Sequence, residues 1–125
     1  FRRVLFRSNS FNSYPLDRLA QAGAVASLQD NDYFVACNQK VIALRHDVTQ
    51  ALTQLGFTVL PSQANFVFAK PPASMGETIQ VFEKLRAQGV IVRHFNKPKI
   101  SSYLRITIGT AEQNQRLLDT LTSLV

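Results

Sequence analysis

Cysteine is almost absent from the sequence, with Cys37 the single one among 125 residues. One thiol cannot close an intramolecular disulfide or build a Cys-rich metal site, which excludes a disulfide-stapled scaffold and a zinc module. Tryptophan is missing, Met occurs once, and Gly and Pro number five each, too few for a disordered chain, and no internal repeat or low-complexity tract is visible. No run approaches the roughly 18 consecutive apolar residues that a membrane helix requires. The first residues also lack the basic, apolar and small-residue succession of a secretory signal. These absences predict a cytoplasmic protein with no membrane partner and no metal. What remains is 46% hydrophobic, enough at this length for one compact domain with a real core. Cys37, set among apolar helical positions, is expected in that core.

The formal net charge of +6 and a pI near 10 would ordinarily raise nucleic acid or an anionic surface as a partner. Three of the arginines, however, fall within Phe1-Arg2-Arg3-Val4-Leu5-Phe6-Arg7-Ser8. That octapeptide is what TTC AGA CGT GTG CTC TTC CGA TCT encodes, which looks like a sequencing-library adapter read in frame, with a native arginine-rich helix end as the plain alternative. Treated as foreign, it leaves 11 basic against 8 acidic residues and a net charge of +3. The expectation is therefore no nucleic-acid partner.

Pro15 suits the first turn of a helix, after which Leu16, Leu19, Ala20, Gly23, Ala24 and Ser27 recur at helical spacing. Asp30 or Asn31 can cap a longer helix whose apolar stripe runs through Phe34, Cys37, Val41, Leu44, Val48, Ala51 or Leu52, and Leu55 and which stops at Gly56. The period then changes. Phe57 to Leu60 and Ala64 to Ala69 read as strands, and Ile79, Phe82 and Leu85 mark a helix ending at Gly89. Val90 to Phe95 and Tyr103 to Ile108 read as two more strands around a Pro98 loop. A capping box at Thr110 and Gln113 opens a last helix with Leu117, Leu121 and Leu124 inside. The order predicts an α+β fold, a small mixed sheet with helices mainly on one face. The other sheet face should remain available for use.

Arg105 lies within Tyr103-Leu104-Arg105-Ile106-Thr107-Ile108 on the face opposite Leu104, Ile106 and Ile108. A guanidinium in a central strand needs a partner, and its fork fits a carboxylate or phosphate in two parallel hydrogen bonds. A structural salt bridge to Asp or Glu satisfies it equally well. Arg93 sits similarly on the preceding strand, and pairing Phe95 with Tyr103 in a hairpin sets Arg93 directly against Arg105. Two arginines on neighbouring strands point to an anionic ligand. His46 reads as a solvated helix residue, and His94 should point away from the Arg93 face. No Ser-His-Asp arrangement, metal-ligand cluster, carboxylate pair or phosphate-cradling glycine loop can be assembled. The chain contains more of a binding site than of a catalytic one.

Four blocks, Ser10-Phe11-Asn12-Ser13-Tyr14-Pro15-Leu16-Asp17, Pro61-Ser62-Gln63-Ala64-Asn65-Phe66-Val67, Gly89-Val90-Ile91-Val92-Arg93 and Tyr103-Leu104-Arg105-Ile106-Thr107-Ile108-Gly109-Thr110, resemble successive blocks of the histidinol-phosphate aminotransferase family. Their order and spacing agree over about Asn9 to Val125. The resemblance implies the C-terminal small domain of a fold-type I aminotransferase, with 1–8 foreign, 9–31 the end of the large domain and a connecting helix, and 32–125 the small domain. It implies a homodimer that exchanges an amino group between L-histidinol phosphate and glutamate in histidine biosynthesis, with pyridoxal 5'-phosphate bound mainly by the large domain. By the same resemblance Arg105 holds the substrate carboxylate and Arg93 the substrate phosphate. Asn65 is a weaker substrate-binding candidate, for which a strand-end hydrogen bond is the plain alternative. No catalytic residue carries over, because Lys40, Lys70, Lys84, Lys97 and Lys99 do not occupy the family's lysine motif.

Related families compete with this reading. An aromatic aminotransferase or a threonine-phosphate decarboxylase would look much alike here, and a free-standing small-molecule-binding α+β domain has the same element order. An RNA-recognition domain would place exposed aromatics beside basic residues on its sheet, but Phe66 and Phe68 come without that consensus.

Overall fold

The computed structural model describes residues 16–124, so the adapter-like segment and the Pro15 helix start lie outside the described residues. Contacts divide the chain into a first unit ending at Ala36 and a second from Cys37 onward.

In the first unit, helix α1 spans Arg18–Gln29. Asp17 caps it, its carboxylate accepting the Ala20 N–H at 2.8 Å, which satisfies one of the donors that a helix start leaves without a partner. The small positions Ala20, Gly23, Ala24 and Ser27 are exposed, and so are Leu19, Val25 and Leu28. Helix α2, Asn31–Gln54, begins where Asp30 accepts the Tyr33 N–H.

The second unit contains the sheet. The apolar stripe of α2 sinks inward along its length, from half-buried Val41 and Leu44 to buried Val48 and Leu52. Cys37 is only half-buried, which corrects its placement in the core: it lies on the outer stretch of that stripe. Gly56 follows the helix at a φ of 84°, a left-handed conformation that costs a residue with a Cβ about 1–2 kcal/mol. Strands β1 (Thr58–Val59) and β2 (Phe66–Lys70) pair antiparallel. A short 3₁₀ turn, Ala73–Met75, leads to helix α3, Thr78–Ala87. Its buried residues are Val81 and Leu85, with Phe82 alongside and Ile79 largely outside. Then come β3 (Arg93–His94), β4 (Leu104–Thr107) and helix α4 (Ala111–Thr122).

The sheet order is β1-β2-β4-β3 and every pairing is antiparallel. The mixed sheet expected from the sequence is corrected accordingly. The crossover from β2 through α3 does make β3 parallel to β2, but the hairpin strand β4 inserts between them, so no parallel pair forms. Strands are shorter than their apolar patterns suggest: Val90 to Val92 lie outside β3, and Ile91 is 76% exposed.

One core lies between the sheet and α2, α3 and α4. It joins Val67 and Ala69 of β2, Leu104 and Ile106 of β4, and Ile108 to Val48, Leu52, Val81, Leu85, Leu117 and Leu121. Thr110 and Gln113 form the expected capping box: the Thr110 hydroxyl accepts the Gln113 N–H at 3.3 Å, and the Gln113 amide oxygen accepts the Thr110 N–H at 3.0 Å. Among the described residues, no helix is long and apolar enough to cross a membrane.

Candidate functional site

Strand parity sends Val67, Ala69, Leu104 and Ile106 into the core and turns their neighbours to the opposite face. On that face Arg105 is flanked by Phe68 of β2 on one side and Arg93 of β3 on the other. The row Phe68–Arg105–Arg93 therefore crosses three strands. The predicted hairpin register is the observed one, and both arginines stand on one side of the sheet.

Aromatic rings surround them. The Phe66 and Phe68 rings meet edge to face at 5.9 Å, and Phe68 also lies 6.3 Å from Phe95 and 6.5 Å from Tyr103. The Arg105 guanidinium carbon is 5.3 Å from the centre of the Phe66 ring and 5.9 Å from that of Phe95. Arg93 is closer to Phe95, at 4.9 Å. All three distances fall within reach of a cation–π attraction.

Arg105 is half-buried, and its Nε is buried without a hydrogen-bond partner. Among the described residues, neither guanidinium has a carboxylate partner. The salt-bridge alternative for Arg105 is thus not realised within 16–124. Rings offset part of the desolvation of a cation but accept no N–H in the plane of the guanidinium. Nε together with one terminal nitrogen presents two parallel donors, the pattern that a carboxylate or phosphate accepts. A buried donor left unmade costs about 1–3 kcal/mol, and an anion arriving at this face would recover that cost.

Asn65 does not join the arginines. It is exposed at the start of β2, its carbonyl accepts the Ile108 N–H at 2.8 Å, and the register puts it opposite Ile108, on the helix side. His94 pairs with Leu104 on the same side, its Nε2 2.8 Å from the Ser101 carbonyl and its ring 6.0 Å from Phe82. His46 is exposed on α2, as expected. Grooves of about 390, 410 and 590 Å³ on the described surface are lined by residues other than Arg93 and Arg105.

Among the described residues, no three His, Cys, Asp or Glu side chains gather as a metal site. All five lysines are exposed. A lysine that anchors an aldehyde cofactor is enclosed with it in a pocket, and these exposed side chains have no such enclosure among the described residues, whereas the forked donors of Arg93 and Arg105 suit an anion.

The sequence pattern leaves the rings without a face: Phe66 and Phe68 fall inside the Ala64 to Ala69 strand, and Phe95 and Tyr103 at strand ends. The alternation of Phe66 and Phe68 with Val67 was the available signal, because the register that sets Phe68 beside Arg105 depends on a non-local pairing.

Comparison with known proteins agrees with the fold and narrows the family. The model for "Aminotransferase class I and II" matches residues 3–121. Histidinol-phosphate aminotransferase 2 of Psychrobacter arcticus is 60% identical over 116 residues, 93% of this chain and 30% of that protein. A histidinol-phosphate aminotransferase of Acinetobacter baumannii is 58% identical over 113 residues, 90% of this chain and 31% of its own. The crystal structure of the histidinol-phosphate aminotransferase of Sinorhizobium meliloti in complex with pyridoxal-5'-phosphate superposes with a TM-score of 0.77. That match has 21% identity and covers 94% of this chain and 33% of that one, so it speaks for the fold alone. The chain spans about a third of the length of the relatives it matches. With a matching family model over nearly its whole length and an arginine-bearing sheet face in the matched region, the chain belongs to the aminotransferase class I and II family.

Proposed function

We propose that this chain is the C-terminal part of an aminotransferase acting on L-histidinol phosphate with 2-oxoglutarate and glutamate, in histidine biosynthesis. The names of the 60% and 58% identical relatives support the substrate. The observation that carries the binding role is the buried, unpaired Nε of Arg105 with Arg93 directly opposite. Arg105 holds the α-carboxylate of glutamate through two parallel hydrogen bonds, and Arg93 attracts the phosphate of histidinol phosphate. The rings of Phe66 and Phe95 lie against the half-buried Arg105 guanidinium and limit its contact with water, which strengthens its hold on an anion. Residues 32–125 form the small domain in this reading, and 1–8 remain foreign to it.

Pyridoxal phosphate is the proposed cofactor, and it supplies the electron sink for amino-group exchange. Its covalent anchor belongs to the part of the protein outside this chain, since no lysine here is suited to the role. The chain alone is inactive in this reading. The complete protein is proposed to be a cytoplasmic homodimer.

The test is an assay of the full-length enzyme with 2-oxoglutarate and L-histidinol phosphate, set against phenylalanine as amino donor and against decarboxylation of threonine phosphate. A preference for histidinol phosphate of tenfold or more in kcat/KM supports the reading. A preference for either competitor overturns it.

A further inference from the structure

We propose that Phe95 is a positioning residue, whose ring holds the guanidinium groups of Arg93 and Arg105 at a fixed spacing and so aligns two anion-binding heads. The inference rests on the binding roles proposed above for the two arginines.

Direct cross-strand partners of like charge repel one another, and flexible arginines would ordinarily swing apart into solvent. Here both remain near one ring. The Arg93 guanidinium carbon lies 4.9 Å from the Phe95 centroid and that of Arg105 lies 5.9 Å from it. The electron-rich ring face attracts each cation, and no carboxylate among the described residues competes for either. Phe95 is itself held in place. Its ring lies 6.3 Å from that of Phe68, its carbonyl accepts the Lys97 N–H at 2.9 Å in the turn that leaves β3, and its side chain is half-buried. Phe66 touches only Arg105, at 5.3 Å, so Phe95 alone among these rings is shared. Its removal should loosen both heads together, a signature that neither arginine variant can produce.

The experiment uses the full-length enzyme with Phe95→Leu, Phe95→Tyr, Arg93→Ala and Arg105→Ala, measuring KM and kcat for glutamate and for histidinol phosphate, and competitive inhibition by inorganic phosphate. Phe95→Leu should raise both KM values and the phosphate inhibition constant by about two- to thirty-fold, the range of a cation–π contact, while kcat falls less than KM rises. Phe95→Tyr, which keeps the ring, should recover most of that loss. In an Arg93→Ala background, Phe95→Leu should add little to the phosphate constant, as expected of coupled neighbours. If Phe95→Leu does not fold, Phe95→Met takes its place. The inference is overturned if the ringless variant leaves both KM values unchanged while Arg105→Ala raises that of glutamate, or if Tyr behaves like Leu. If neither arginine variant changes either KM, the binding roles fall and this inference falls with them.

Discussion

Arg93 and Arg105 are direct cross-strand partners in the β3–β4 pair, and both guanidinium groups lie against the ring of Phe95. Like charges in that position oppose folding by an amount on the order of 0.2–1 kcal/mol, and more when water is excluded. A structural role would favour replacing one of them with an acidic or neutral residue. A doubly charged or two-headed anion reverses the sign of the interaction. In the proposed binding role, the juxtaposition that weakens the free sheet favours an anion at this face.

Arg105→Ala in the full-length enzyme should raise KM for glutamate about ten- to a hundred-fold, since hydrogen bonds to charged groups contribute about 1.5–3 kcal/mol. Arg105→Lys keeps the charge but loses the fork, and should recover only a minor part of the loss. Full recovery by lysine in steady-state kinetics would mean that charge alone, without a bidentate geometry, accounts for binding.

Arg93→Ala should discriminate between substrates. It removes a cation placed for phosphate, so KM for histidinol phosphate should rise by about tenfold or more while that for glutamate changes little. Equal losses for the two substrates would remove the assignment of Arg93 to phosphate. Raising ionic strength should mimic part of the effect in the wild-type enzyme, because Arg93 is exposed and its attraction is screened.

Local pattern and short-range pairing were legible in the sequence, and tertiary neighbourhood was not. The turn at Pro98 and the alternation of Leu104, Ile106 and Ile108 led to the right hairpin register and the right buried face. The capping box at Thr110 and the stop at Gly56 are local chemistry and could be read directly. By contrast, Val90 to Val92 look like a strand but lie outside the ladder, with the groove lined by Ile91, Val92 and Thr107 at that end of the sheet. Apolar runs report burial or β propensity without showing which strand will be available to pair. The aromatic surround of Arg105 was hidden for the same reason: Phe66 and Phe68 reach it through a non-local pairing of β2 with β4.

Two residues of similar hydrophobicity should consequently behave very differently. Leu104 is fully buried at 0% exposure and Ile91 is 76% exposed. Leu104→Ala should destabilise the fold by about 2–5 kcal/mol through lost burial and a cavity, whereas Ile91→Ala should stay within about 0.5 kcal/mol. Urea unfolding of both variants measures the contrast. A comparable loss for Ile91→Ala would mean that this residue is covered by another part of the full-length protein.

The turn between β4 and α4 offers a similar contrast with polar groups. Asn114 is 6% exposed, its amide oxygen accepts the Gly109 N–H at 2.9 Å, and its amide nitrogen donates to the Gly109 carbonyl at 3.2 Å. Both main-chain groups of one glycine are thereby satisfied by a single side chain, which fixes the path from Thr107 to the helix cap. Asn114→Ala removes both bonds and should cost about 1–3 kcal/mol, the penalty for buried polar groups left without partners. Asn114→Asp retains an acceptor for the Gly109 N–H but sets a carboxylate oxygen against the Gly109 carbonyl, so at neutral pH it should recover little of the loss. Gln113→Ala, at an exposed position, removes only one arm of the capping box and should cost less than about 1 kcal/mol. Because Leu117 and Leu121 of α4 share one buried core with Leu104 and Ile106 of the strand that carries Arg105, the Asn114→Ala loss should also appear as faster amide exchange along β4. Unchanged exchange at Arg105 and Ile106 would show that the clamp acts on the turn alone.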